Sequence, residues 1–410
     1  MGANFNLKTL TVAIAAFSVA SVASAAGLDR SGQDITAFLQ DGVYAEAVYT
    51  YIDGDVTGKD SSGNKIDDIA ESYDFFRYGV KADINDTFSV GVLYDEPFGA
   101  AADYSGKNDF VSHEPNPSFA GFIQPNGEAT NVEVRTENLT AIMGAKFGEN
   151  KNFQVYGGPV AQRVQADVKL RGKAYGLADG YTTHISAAQD YGWLAGASYS
   201  KPEIALQAAL TYRSEIDHTL PISETFPALA LQSMNPTRVG EIDITTPKSV
   251  NFDFQTGINS TMLATAKVRW VPWSDFEIVP PLYNQASKRD PRNGPNGLSL
   301  VSYDEDQWLV ELGLAKRLTP VLAMTGTVGW DSGAGNPVTS LGPIEGYYSA
   351  GLGAKYNLTD NWAISAGGKY LWFGDAKGQI PNKTVVSNFE DNDGFALGVK
   401  LSYQAKQSFN

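Results

Sequence analysis

Few side chains in this 410-residue chain can do covalent chemistry: it has no cysteine and three histidines, His113, His184 and His218. All three histidines are expected in loops. No serine stands at a characteristic spacing from them, and no H-E-x-x-H pair of metal ligands occurs. No catalytic residue, metal or cofactor is therefore expected. Ligand binding fits the residues better. Arg213, Lys267 and Arg269 fall on the polar rows of amphipathic stretches, where a cation can pair with a carboxylate. The competing expectation for each is an ion pair with Glu46, Asp83 or Glu311. The stretch Thr219 to Arg238 reads as a loop holding Phe226, Leu229, Leu231 and Met234. Apolar residues in a loop either cap one another or meet a greasy ligand. Phe110, Phe119, Phe122 and Ile123 offer an opposing wall.

These side chains need elements to hold them, and the clearest lie at the end of the chain. Tyr348, Ala350, Leu352, Ala354 and Tyr356 alternate with Ser349, Gly351, Gly353 and Lys355. Trp362 to Trp372 and Phe395 to Tyr403 repeat the pattern, with apolar rows that begin and end in aromatics. Period-two alternation puts each row on one face of a strand. Aromatics at both ends of strands about ten residues long suit a bilayer, with rings at its two interfaces. The opposite rows carry Arg77, Lys81, Lys146, Arg213, Lys267, Arg269, Glu311, Lys369 and Lys400. Charges facing lipid cost roughly 2–4 kcal/mol each at the midplane, so these belong inside a barrel.

Fourteen such segments are expected, near 43–53, 73–84, 88–97, 131–147, 153–170, 188–200, 203–216, 248–258, 261–278, 301–316, 321–331, 344–356, 361–374 and 393–405. Alternate spacers are short and of turn composition, such as Asn85-Asp86-Thr87, Lys201-Pro202 and Asn259-Ser260. The others are long and rich in Gly, Pro, Asn and Asp. Short turns on one side and long loops on the other are the habit of outer-membrane barrels. Mean hydropathy is only −0.22, as expected when every second strand residue is polar. The net charge of −15 makes nucleic acid an unsuitable partner. Acids clustered between segments suggest solvated loops, or divalent bridges to lipopolysaccharide phosphates.

Three regions follow: 1–25, 26–42 and 43–410. Leu10 to Ala20 behind Lys8, before Ala23-Ser24-Ala25, reads as an export signal cleaved after Ala25. Residues 26–42 lack alternation, and Ile35, Phe38 and Leu39 fit one helical turn. A fourteen-stranded barrel lies between those filled by side chains and those with an open bore, so something should fill it. Residues 26–42 are the candidate plug, entering from the turn side.

The order of these pieces resembles the FadL family of long-chain fatty acid outer-membrane transporters, whose relatives import aromatic hydrocarbons. The likeness covers residues 26–410. It is carried locally by AGLDRSGQDITAFLQDGVYAEAVYTYIDGDVTG, by LYDEPFGA, and by PKSVNFDFQTGI followed by KVRWVPWSDFEI. The resemblance implies an all-β, fourteen-stranded antiparallel transmembrane barrel with a short N-terminal hatch in its lumen. It further implies capture of a long-chain fatty acid or similar hydrophobic ligand by the loops, without energy coupling, and a lateral exit through a kinked wall strand. A monomer is expected. Phe38 and Leu39 would then touch an acyl chain, and Arg213, Lys267 or Arg269 its carboxylate. Two departures stand out. The family's Asn-Pro-Ala hatch motif is absent, Asn-Pro occurring only in the loops at Asn116, Asn235 and Asn336. The chain also ends Phe409-Asn410 instead of on an aromatic. Pro97 after the third segment, and Gly157-Gly158-Pro159 inside the fifth, mark candidate interruptions because proline cannot donate to a ladder.

Overall fold

The computed structural model describes residues 27–113 and 127–406. The export signal, the Asn116 motif, Phe119, Phe122, Ile123 and Phe409 lie outside them. Among the described residues fourteen wall strands form one closed antiparallel barrel. They are β1 (Val43–Asp55), β2 (Tyr73–Asp83), β3 (Phe88–Asp95, resuming at Gly99–Asp103), β4 (Asn131–Phe147), β5 (Phe153–Lys169) and β6 (Thr182–Lys201). β7 runs as Leu206–Arg213 and Ile216–Thr225, and β8 as Thr237–Thr246 and Ser249–Asn259. The rest are β9 (Met262–Val271), β10 (Gln307–Arg317), β11 (Leu322–Asp331), β12 (Tyr347–Asn357), β13 (Trp362–Phe373) and β14 (Asp393–Ala405). Pairing of Val43↔Ala405 through Asp55↔Asp393 joins β14 to β1 and closes the wall. Closure leaves no strand edge in the membrane, where an unpaired backbone group costs several kcal/mol.

The alternation sorts side chains as the sequence requires. The lipid-facing rows of Phe76, Met143, Leu352 and Leu397 are exposed, whereas Arg77, Lys81, Arg269, Lys369 and Lys400 are buried in the lumen. Rings form two belts. The turn side carries Phe147 against Phe153 and Trp362 against Tyr403, at 5.5 and 5.1 Å between centroids. The loop side carries Trp270 against Trp308 and Tyr370 against Trp372, at 6.4 and 4.9 Å. Amphipathic rings at both levels fix the barrel's height in the bilayer.

Several boundaries differ from the sequence reading. β6 starts six residues early, β7 extends to Thr225 and β8 begins at Thr237, so the long loop shrinks to residues 226–236. β9 stops at Val271, where Pro272 cannot donate, and a 3-10 turn (Trp273–Asp275) replaces its expected end. His184 and His218 sit on β6 and β7, not in loops. Above the wall, the strand pieces Gly58–Asp60, Lys65–Ile66, Val338–Thr339, Ala376–Gln379 and Val385–Phe389 form a small sheet over the lumen. A short helix, α1 (Pro281–Ser287), is tied down by Glu224, whose carboxylate accepts from Leu282 N and Tyr283 N at 2.9 and 3.0 Å.

Candidate ligand site and wall gap

Residues 27–42 lie inside the barrel as a chain of turns and form no continuous helix. Phe38 N donates to Ile35 O (2.9 Å) and Leu39 N to Thr36 O (3.2 Å), a tight turn that gathers Ile35, Phe38 and Leu39 on one side. All three are buried, with Phe38 against Tyr156 at 5.7 Å. Burying a side chain of this kind stabilises by roughly 1.5–3 kcal/mol. The wall makes room with glycine: a Cβ on Gly79 would stand 2.8 Å from Ala37 Cβ, and one on Gly91 2.7 Å from Phe38 Cδ2.

Charge completes the seating. Arg269 binds Asp29 through Nη2–Oδ1 (2.7 Å) and Nε–Oδ2 (2.8 Å), and donates to Asn251 Oδ1 (2.8 Å). Lys267 stands 3.3 Å from Asp34 and 3.7 Å from Asp253, and Arg77 lies 3.7 Å from Asp34 and 3.4 Å from Glu46. At the periplasmic end Lys81 Nζ donates to Asp83 and to the carbonyls of Gln40 and Gly42, at 2.6, 2.6 and 3.2 Å. Lys267 and Arg269 therefore bind the plug in this structure. Their partners are Asp29 and Asp34 of the plug itself, which the sequence reading did not name. The pairs expected for Arg213, Lys267 and Arg269 with Glu46, Asp83 or Glu311 do not form among the described residues, because other lumenal cations take those acids: Lys400 takes Glu46, Lys81 takes Asp83 and Lys369 takes Glu311.

Arg213 differs. It is buried, its Nη1 stands 3.4 Å from Thr140 Oγ1, its Nε has no partner, and no carboxylate among the described residues is within ion-pair distance. It faces a small polar cavity with Gln33, Asn138, Gln162 and Trp193. Phe98, Thr246 and Pro247 also line an adjoining apolar cavity closed by Leu28, Trp273, Phe276 and Ile278. That apolar cavity has a volume of about 20 Å³, far below the roughly 150 Å³ that accepts a benzene, so a ligand must displace its lining. Leu28, not Phe38 or Leu39, is the plug residue at this cavity. No periodic pattern marked it.

The wall is incomplete beside this cavity. β2 and β3 pair only from Tyr78↔Tyr94 to Asp83↔Ser89, and they next meet at the isolated bridge Ala70↔Ala102. Between these contacts lies the break at Glu96-Pro97-Phe98. The plug fills it: Asp29 bridges Phe98, Arg30 N donates to Pro97 O (2.7 Å) and Gly99 N donates to Leu28 O (2.7 Å). The Arg30 guanidinium lies 3.9 Å from the centre of the Tyr73 ring, in space a Gly99 side chain would occupy. Next door, the outward row of β4 changes from Met143 and Leu139 to Glu137, Arg135 and Glu133, and all of these are exposed. The gap therefore opens near the outer membrane interface. Gly157-Gly158-Pro159 is no bulge. Its pairing with β6 is continuous, and its pairing with β4 lapses over two residues and resumes in register.

The loop residues divide. Phe226 and Leu229 are buried, with Phe226 against Tyr181 and Tyr283 at 5.7 and 5.9 Å, so they cap the loops against one another. Met234 packs on the same cluster, while Leu231 is half exposed. Phe110 stacks on Tyr104 at 4.4 Å. His218 has both ring nitrogens occupied, Nδ1 by Asp190 (3.1 Å) and Nε2 by Gln162 (2.8 Å), which leaves neither to a serine. No group of three or more acidic or histidine side chains among the described residues is arranged to hold a metal ion.

Known proteins share this architecture. A crystallised FadL homologue of Pseudomonas aeruginosa superposes with a TM-score of 0.70 at 15% identity, covering 95% of this chain and 97% of its own. The Pseudomonas putida toluene transporter TodX gives 0.58 at 14% identity, with 91% and 92% covered. The Ralstonia pickettii toluene transporter TbuX gives 0.58 at 12% identity, with 92% and 95% covered. Identities this low establish the fold alone. No curated protein matches the chain in sequence. Residues 150–409 match the family model described as outer membrane protein transport protein (OMPP1/FadL/TodX). The chain belongs to this family of bacterial outer-membrane transporters of hydrophobic compounds.

Proposed function

We propose that this barrel mediates passive uptake of long-chain fatty acids or similar hydrophobic molecules with an anionic head. The loops gather the ligand, the lumen binds it with its tail among Leu28, Phe98 and Trp273, and Arg213 receives its head. Release follows when the hatch, residues 26–42, shifts from the gap between β2 and β3 and opens a lateral path into the outer leaflet. The observation that carries this reading is the buried guanidinium of Arg213, whose Nε has no partner, beside an apolar cavity. A buried guanidinium with no carboxylate in ion-pair distance keeps donor capacity that a ligand's anionic head can take up.

The test compares oleate with toluene on the wild type and on Arg213→Ala. Hydrogen bonds to charged groups contribute about 1.5–3 kcal/mol, so oleate binding should weaken roughly 10- to 150-fold while toluene binding holds. Tight toluene binding with no oleate binding would instead assign an aromatic-hydrocarbon importer. The solved relatives named as toluene transporters share the fold, and the cavity walls of Phe98, Trp273 and Phe276 suit a flat ring. A general diffusion porin is disfavoured by the ion pairs that hold the lumen closed.

A further inference from the structure

We propose that Asp29 stands in for the ligand's anionic head, and that a carboxylated ligand unseals the wall by taking Arg269 from it. This rests on the reading of Arg213 as the head-group receptor. Arg269 is fully buried and grips both carboxylate oxygens of Asp29. The backbone of Asp29 bridges Phe98, and its neighbours Leu28, Arg30 and Ser31 make three backbone hydrogen bonds with Pro97 and Gly99 that seal the gap in the wall. The Asp29 carboxylate, which also accepts from Gln307 Nε2 at 3.3 Å, thus ties this seam to the wall.

Gln33 joins this pair to the ligand cavity. Its Oε1 accepts from Arg269 Nη2 (3.1 Å) and from Ser249 Oγ (2.6 Å), and its side chain lines the cavity that Arg213 faces. A carboxylate entering there meets Arg213 first and reaches Arg269 by displacing Gln33. Ligand and Asp29 then compete for one planar fork, the geometry guanidinium offers to any carboxylate. A buried carboxylate stripped of its guanidinium is costly to retain, so Leu28–Arg30 withdraws and the gap opens. A hydrocarbon without a head fills the apolar cavity but has nothing with which to compete. The exchange selects ligands by head as well as by tail.

The chain has no cysteine, so Ser31→Cys supplies a single reporter next to Arg30; Ser31 is fully buried, with Oγ 2.6 Å from Asp95 Oδ2. Its modification rate by a small methanethiosulfonate reagent is measured on folded protein in micelles, with oleate, with octadecane and with neither. Oleate should raise the rate on the order of tenfold, within the usual range of coupling between sites. Octadecane should not. Asp29→Asn should react fast without any ligand, and Arg269→Lys, which loses the fork, should fall between. Heat-dependent migration on gels checks that each barrel is folded, and Arg269→Lys alone decides should Asp29→Asn not fold. A reporter that stays protected in both variants, or that responds equally to octadecane, overturns the exchange. Oleate binding that ignores Arg213→Ala defeats the head-group reading instead, whatever the reporter does.

Discussion

Arg269 on β9 and Asp29 of the hatch meet in a two-bond fork of 2.7 and 2.8 Å, 240 residues apart in sequence and wholly buried. A pair so placed is weak evidence for stability, yet breaking one side is costly because it leaves a lone charge in a dry site. Here it holds a short irregular segment against one defined break in the wall.

Arg269→Met should therefore free the top of the hatch without unfolding the barrel. Loss of one member of a buried pair costs about 3–5 kcal/mol. The amides of Arg30 and Gly99, which donate to Pro97 O and Leu28 O, should lose protection by roughly two to four orders of magnitude. Hydrogen exchange of peptides spanning these residues measures it. Unchanged protection would mean the backbone seam holds by itself.

The glycine seat beneath Phe38 predicts a coupled pair. Gly91→Val places methyls against Phe38 and should destabilise the hatch by about 1–3 kcal/mol, whereas Phe38→Ala should cost about 3–5 kcal/mol through its cavity. The double variant should cost less than the sum, since valine occupies the vacated space. Sugar leakage into liposomes should rise in each single variant and fall back in the double.

Much of the barrel was legible because a bilayer imposes a strict rule. Rows such as Leu139/Ala141/Met143 and Trp362/Ile364/Ala366 admit one assignment, and short turns fix the register between strands. β7 and β8 beyond the bilayer escaped notice because they stand in water, where outward residues such as Asp217, Thr219, Glu241 and Asp243 look like loop. Pro97 was readable as a break, yet Gly157-Gly158-Pro159, equally suspicious, stays in register. The difference lies in what packs behind each site, and that is a tertiary fact. Likewise nothing local distinguishes Arg213 from Lys267 or Arg269; only folding brings Asp29 and Asp34 to two of the three.

One loop carboxyl should make the extracellular cap sensitive to pH. Burial, then the nearby charge of Glu305, pushes the Glu345 carboxyl up to about 7, and its Oε2 has no hydrogen-bond partner. A carboxyl with a raised pKa favours the folded state when protonated, so the cap should loosen as pH climbs from about 4.5 through about 7. Partial exposure limits the effect to about 1–2 kcal/mol. Limited proteolysis of the loop before β12 should run faster at pH 8 than at pH 6 in the wild type, and at one rate in Glu345→Gln. Equal rates in the wild type would contradict the assignment.

The most direct measurement fixes the hatch to the wall. Ala37 Cβ lies 2.8 Å from where a Gly79 Cβ would stand, and the native chain has no cysteine, so Ala37→Cys with Gly79→Cys can form a staple after a shift of about 1 Å toward the usual disulfide spacing. Oleate uptake by cells carrying the oxidised pair should drop to the level of cells lacking the protein and return on reduction. Undiminished uptake through the stapled barrel would contradict a moving hatch.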